Sequence, residues 1–166
     1  GFIQPKKDWC DINELIYDVI NRLGQQLKNH KITIYIEDNL PLYKLDYGLM
    51  EQVLYNLLYN ASIYTPEYGD IFISAKNNTD KIYQLNTTIE EHSTVKKESN
   101  FLILTIEDRG PGFPQAELEK VFDKFYRLDN SRTGGTGLGL SIVKGFVEAH
   151  QGTVVLENVP HGAKFT

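Results

Sequence analysis

A chain of 166 residues, 41% hydrophobic and 23% charged, suits one domain with a substantial core. Its 17 Lys plus Arg against 22 Asp plus Glu leave a net charge of −5, which argues against a general nucleic-acid binder, since that needs a basic face. Cys10 is the only cysteine, which excludes an internal disulfide and a thiolate metal cluster, and neither a membrane-length apolar run nor a signal-peptide pattern is read in the sequence.

Asp11, with Glu14 three residues on, forms a capping-box pattern. Ile12, Leu15, Ile16, Val19, Ile20, Leu23 and Leu27 then repeat at helical spacing and predict a first helix. Residues 32–36, Ile-Thr-Ile-Tyr-Ile, predict a strand, and Asn39-Leu40-Pro41 a turn. A second helix is predicted over 47–64, with Met50, Val53, Leu54, Leu57, Leu58 and Ala61 on its apolar face and Pro66 and Gly69 ending it. Residues 71–74 and 101–107 predict strands, the second with an apolar run that suggests burial on both faces. Between them, residues 76–100 turn polar and read as a long exposed excursion, a tolerated insertion in which only 81–85 has strand character. Residues 118–125 predict a short helix or turn. Residues 139–150 predict a third long helix, with Gly152 just past its end as a C-cap. Strands at 153–157 and 163–166 follow; the last stops in mid-pattern, which predicts a longer parent protein cut at its C-terminus here. The order predicts an α/β two-layer sandwich: one mixed sheet covered on one face by three helices.

Four segments carry chemistry. Asn56 and Asn60 sit four apart in the second helix and project from one face. Asparagine forms helices poorly, so the pair is either a solvated or backbone-bonded polar face, or a source of neutral oxygen for Mg²⁺, which shares itself with substrate phosphates. Asp108-Arg109-Gly110-Pro111-Gly112-Phe113 follows a strand. Alone it reads as a turn; its carboxylate can also accept a hydrogen bond from an exocyclic amine such as adenine N6. Thr133 to Ser141 holds Gly134, Gly135, Gly137 and Gly139 and runs into the third helix. It is a flexible loop, or a backbone surface for a polyanion ahead of a helix N-terminus. It has neither the Walker A lysine nor a Rossmann spacing. Lys124 and Arg127 follow Phe122 as cations that can reach a phosphate, and Phe122 and Phe125 are expected to be buried. Together the segments predict a nucleotide site.

In this order, the segments resemble the nucleotide-binding domain of bacterial sensor histidine kinases over residues 11–166. Glu51 through Ala61 is similar to the family's N box, Asp108-x-Gly110-x-Gly112 to its G1 box, Phe122 through Phe125 to its F box, and Gly135 through Leu140 to its G2 box. The resemblance implies a Bergerat-type ATP fold with ATP and Mg²⁺ bound. Asn60 would be the Mg²⁺ ligand, Asn56 would support the phosphates and Asp108 would read the adenine amine. Gly110 and Gly112 would shape the loop beneath the base, and Tyr64 would lie beside base or ribose. Thr136, Gly137, Leu138 and Gly139 would cover the phosphates as a mobile lid, with Arg127 at the γ-phosphate. It further implies γ-phosphoryl transfer to a histidine on a separate dimerisation domain, linked through residues 1–10, and a response regulator receiver domain as partner. The whole protein would be a homodimer anchored in the inner membrane, with this domain cytoplasmic. Pro5-Lys6-Lys7-Asp8-Trp9 and the stretch from Pro160 to Phe165 are similar to the KdpD-type branch, which governs potassium uptake.

The chain departs from the pattern at Ile63, where the family often has Lys or Arg, in its thin closing box Gly162-Ala163, and in the 76–100 insertion. ATP-hydrolysing relatives carry Glu one turn before the metal asparagine; Asn56 is no general base, which implies transfer rather than hydrolysis. His30, His92, His150 and His161 all lack the acceptor context and are expected to be structural or surface residues; His150 lies in the last turn of the third helix, where a cation suits the dipole. The alternatives are a non-catalytic nucleotide-binding module, or a related ATPase or serine kinase.

Overall fold

The computed structural model describes residues 2–85, 94–126 and 139–166, without the side chains of 80–85 and 94–99. Five strands form one sheet in the order β2-β4-β5-β7-β6: β2 (Lys31–Ile36), β4 (Asp70–Leu85), β5 (Thr94–Asp108), β6 (Leu156–Val159) and β7 (Gly162–Phe165). β2 pairs parallel to β4 and the remaining neighbours are antiparallel, so the sheet is mixed. β1 (Asp8–Cys10) and β3 (Tyr43–Leu45) pair separately, which places part of the expected linker segment against the domain.

Helices α1 (Ile12–Arg22), α3 (Tyr47–Tyr64) and α4 (Gly139–Ala149) cover one face, as the pattern predicts. Ile12, Leu15, Ile16 and Val19 of α1 meet Val53, Leu54, Leu57, Leu58 and Ala61 of α3 in one core with Ile71, Ile73, Ala75 and Ile106 of the sheet. The Asp11 carboxylate accepts from the N–H groups of Asn13 and Glu14 at 2.8 and 3.3 Å, which confirms the first N-cap. The helical run to Leu27 is broken, however. Leu23 leaves helical geometry ahead of Gly24, a weak helix former, and Leu27 is buried from a short second helix, α2 (Gly24–Leu27).

The polar excursion is corrected over 76–85 and 94–100, which form an antiparallel pair. β4 and β5 stay paired from Ile71↔Asp108 out to Leu85↔Thr94, so residues 76–85 and 94–100 are ladder. Backbone pairing asks only for alternation, which a polar sequence satisfies. β5 is also not buried on both faces. Leu102, Ile103 and Leu104 are half-buried and Phe101 is exposed, because helices cover one side of the sheet only. Residues 118–125 hold no α-helix; 3₁₀ turns lie at Gln115–Glu117 and Lys120–Phe122. Phe122 is buried against Phe165, but Phe125 is 71% exposed with φ +65°. At the end of α4 the left-handed residue is Gln151, while the Gly152 N–H bonds the Val147 carbonyl at 3.0 Å.

Asp46 joins three parts of the fold. Its carboxylate caps α3 by accepting from the Leu49 N–H at 3.1 Å and also accepts from the Lys6 N–H at 2.8 Å. Its own N–H donates to Nε2 of His150 at 3.0 Å, while Nδ1 bonds the Phe146 carbonyl at 2.7 Å. His150 is thus the structural residue expected, a link between the end of α4 and the start of α3. Asp46→Ala is expected to lower the free energy of unfolding by about 1–2 kcal/mol; an unchanged urea midpoint would refute this role.

Candidate nucleotide-binding site

β5 delivers Asp108 to the end of the sheet, where it is 2% exposed. The Gly110 N–H donates to its Oδ1 at 2.9 Å and the Ala163 N–H at 3.3 Å. Burial pushes the carboxyl pKa up; the two N–H groups and the Arg109 charge oppose that. Among the described residues both hydrogen bonds fall on Oδ1, leaving Oδ2 as the acceptor without one. β7 begins directly against this backbone: a Cβ at Gly162 would lie 1.8 Å from the Asp108 carbonyl oxygen. The thin closing box is therefore the wall that holds Asp108. Sequence reading undervalued it, although a glycine opening a strand is a signal of close backbone approach.

The loop after Asp108 packs under the end of α3. A Cβ at Gly110 would come within 2.8 Å of the Tyr64 carbonyl oxygen, and Gly112 takes φ +76°. Asn158 pins the next residue at both ends: its Oδ1 accepts from the Phe113 N–H at 2.9 Å and its Nδ2 donates to the Phe113 carbonyl at 2.8 Å. Nothing local in the sequence marks Asn158, because its partner is 45 residues away. The Phe113 ring meets Tyr64 edge-on at 5.7 Å. Burial and the Asp108 charge raise the Tyr64 pKa.

Asn56, Asn60 and Tyr64 recur every fourth residue of α3 and share a face. Asn56 accepts from Gln52 Nε2 at 2.6 Å and donates to the Gly139 carbonyl at 3.1 Å, which joins α3 to the first residue of α4. Asn60 Nδ2 is buried without a hydrogen-bond partner among the described residues. Such a group costs about 1–3 kcal/mol and is expected where a ligand completes the set. Ile63 is half-buried and offers no donor. Lys124 is exposed in an open cleft with Ile3, Phe125, Ser141, Ile142 and Phe146. Arg127, Thr136, Gly137 and Leu138 lie outside the described residues.

These residues fit an adenine nucleotide with a divalent cation. Asp108 keeps an oxygen for an exocyclic amine, and the glycines let a flat base approach the backbone. Asn60 supplies a neutral amide. No group of three or more His, Cys, Asp or Glu among the described residues is placed to hold a metal. A cation here would take most of its ligands from phosphates and water, as Mg²⁺ does.

A family model described as histidine kinase-, DNA gyrase B- and HSP90-like ATPase (HATPase_c) matches residues 45–166, and the chain belongs to this family. The sensor histidine kinase WalK of Bacillus subtilis is 32% identical over 160 residues, 94% of this chain and 23% of its own length. The sensor protein KdpD of Clostridium acetobutylicum is 32% identical over 166 residues, 98% of this chain and 16% of its own. The chain thus spans about a fifth of these relatives, and KdpD is one of several it resembles. Among solved structures, the catalytic domain of histidine kinase ThkA superposes with a TM-score of 0.75 at 26% identity, covering 96% of this chain and 92% of that one. Full-length ShkA, solved in complex with AMPPNP, gives 0.74 at 23% identity over 99% of this chain and 31% of that one. ThkA in complex with the response regulator TrrA gives 0.70 at 23%, over 96% and 40%. The two-layer fold is that of the family's ATP-binding domain.

Gly162→Ala is expected to cost about 3 kcal/mol or more through overlap with Asp108. Gly145→Ala, in open space on α4, should leave stability unchanged or raise it by up to about 1 kcal/mol; equal urea midpoints for the two variants would refute the wall. The raised Asp108 pKa has a definite sign. The native state holds the proton to higher pH than the unfolded chain, so stability falls as pH rises from about 3.9 through the raised value. Asp108→Asn keeps both N–H bonds to Oδ1 and removes the buried charge. It is expected to be at least as stable as wild type at pH 7, with the difference shrinking below pH 4, and to bind ATP more weakly; a variant that melts earlier at pH 7 would sink the argument.

Proposed function

We propose that the chain binds Mg-ATP between α3, the loop after Asp108 and the start of α4, and passes the γ-phosphoryl group to a histidine on a separate dimerisation domain. The observation that carries this reading is the amide of Asn56. It stands one turn before Asn60, with its oxygen bonded by Gln52 and its N–H by Gly139. A side chain so held accepts no proton from water, so the arrangement favours transfer over hydrolysis.

Asp108 Oδ2 accepts the adenine amine, Tyr64 lies beside the base, and Gly110 and Gly112 leave room beneath it. Asn60 gives its oxygen to Mg²⁺, and Asn56 donates toward the phosphates. Mg²⁺ held by Asn60 would supply charge neutralisation for the transferred phosphoryl group. The β–γ phosphoanhydride bond breaks, a P–N bond forms on the acceptor imidazole, and ADP leaves. Gly139, with Thr136, Gly137 and Leu138, closes over the phosphates, and Lys124 and Arg127 add positive charge.

The same reading makes residues 1–10 the connection from preceding dimerisation helices and the whole protein a homodimer that passes its phosphoryl group to a response regulator receiver domain. No helix among the described residues is long and apolar enough to cross a membrane; a membrane anchor would lie elsewhere in the protein. Potassium or osmotic signalling is favoured by the KdpD relative and the chain's flanking segments, and is the narrower part of the proposal.

The test is transfer from γ-labelled ATP to an added dimerisation-helix fragment in Mg²⁺. Wild type should label the fragment, and Asn60→Ala should reduce labelling about 100-fold or more. Label on the fragment that Asn60→Ala leaves intact would remove Asn60 from the metal.

A further inference from the structure

We infer that Gln52 is a positioning residue that commits Asn56 to act as an N–H donor toward the phosphates, a role that rests on the nucleotide reading above. Gln52 lies one turn before Asn56 on α3 and is half-buried. Its Nε2 donates to Asn56 Oδ1 at 2.6 Å. An asparagine amide has one oxygen and two N–H groups, so filling the oxygen turns the N–H groups outward. One reaches the Gly139 carbonyl at 3.1 Å.

The polarity of this chain of bonds is fixed at its far end. A backbone carbonyl can only accept, so an inverted Asn56 would set oxygen against oxygen at Gly139. A phosphate oxygen also only accepts. The orientation that bonds Gly139 is therefore the one a nucleotide needs, and Gln52 holds it, leaving the second N–H of Asn56 for a phosphate oxygen. It follows that the two asparagines do different work. Asn56 has its oxygen occupied by Gln52 and serves through hydrogen, whereas the Asn60 oxygen carries no such bond among the described residues, which leaves it for the cation, and its buried Nδ2 is unpartnered there as well. Glutamine suits position 52 because its amide can donate; glutamate has the same shape but only accepts, and would call for Asn56 in the inverted orientation.

Two variants and two readouts test this. Gln52→Met keeps the shape and removes the donor; Gln52→Glu inverts it. In the ligand-free chain, the ¹H–¹⁵N signals of the Asn56 side-chain amide should shift in both variants, while those of Asn60 stay. Mg-ATP affinity should fall about fivefold for Gln52→Met and further for Gln52→Glu, with adenosine affinity and melting temperature unchanged. In an Asn56→Ala background, Gln52→Met should cost nothing more. Unmoved Asn56 signals, undiminished Mg-ATP affinity, an equal loss for adenosine, or full additivity with Asn56→Ala would each overturn the inference while wild type still binds Mg-ATP. A wild-type chain that does not bind Mg-ATP would overturn the nucleotide reading itself, and this inference with it.

Discussion

A buried carboxylate needs hydrogen bonds from groups that cannot move away. Asp108 obtains them by drawing three separate pieces of backbone together. The Gly110 turn folds back onto its Oδ1, the Ala163 N–H comes in from β7, and Gly162 lies against the Asp108 carbonyl with no room for a side chain. The end of α3 is pressed onto the same point, since Gly110 sits against the Tyr64 carbonyl. β7 pairs with β5 at only Ile106 and Glu107, so this contact, more than a long ladder, sets where the strand begins. The cost is charge in a place where burial disfavours it.

The second element of the site is a helix held at both ends. Asp46 fixes the start of α3 to Lys6 and to His150 at the end of α4. At the other end, His30 Nε2 bonds the Thr65 carbonyl at 3.0 Å. Between these points the apolar face of α3 fills the core, while Gln52, Asn56, Asn60 and Tyr64 occupy the remaining side. A polar row on such a helix holds its geometry because the core sets its height and rotation. Tethering α4 to α3 at both Asn56–Gly139 and Asp46–His150 links the residues before and after α4 to the same support.

The sheet serves the site unequally. β2, β4 and the inner part of β5 build the core beneath α1 and α3. The outer halves of β4 and β5 continue as a paired arm that leaves the core, with Asn77 tied at its base to Glu37 and Tyr43. This arm adds length without altering the register that delivers Asp108, which is how a polar insertion and an intact site coexist in one chain.

The sequence by itself determined the features governed by near neighbours. Periodicity defined α3 and its buried face. The four-residue spacing placed Asn56 and Asn60 together, and the ordered boxes indicated the family. What only the tertiary structure decided depends on partners distant in the chain. Glycine and alanine at 162–163 read only as a thin closing box until β7 is set against Asp108, and Asn158 has no meaning until Phe113 lies opposite. Phe125 reads as core because it is apolar, yet it is exposed where the 3₁₀ turns end. His150 reads as a structural or surface residue, and only the fold supplies its partners, the Asp46 N–H and the Phe146 carbonyl. A polar stretch reads as loop because composition reports burial, whereas strand pairing is satisfied by backbone groups that every residue carries. Local pattern therefore fixed which residues could form the site, and long-range packing fixed the direction in which each of their donors and acceptors points.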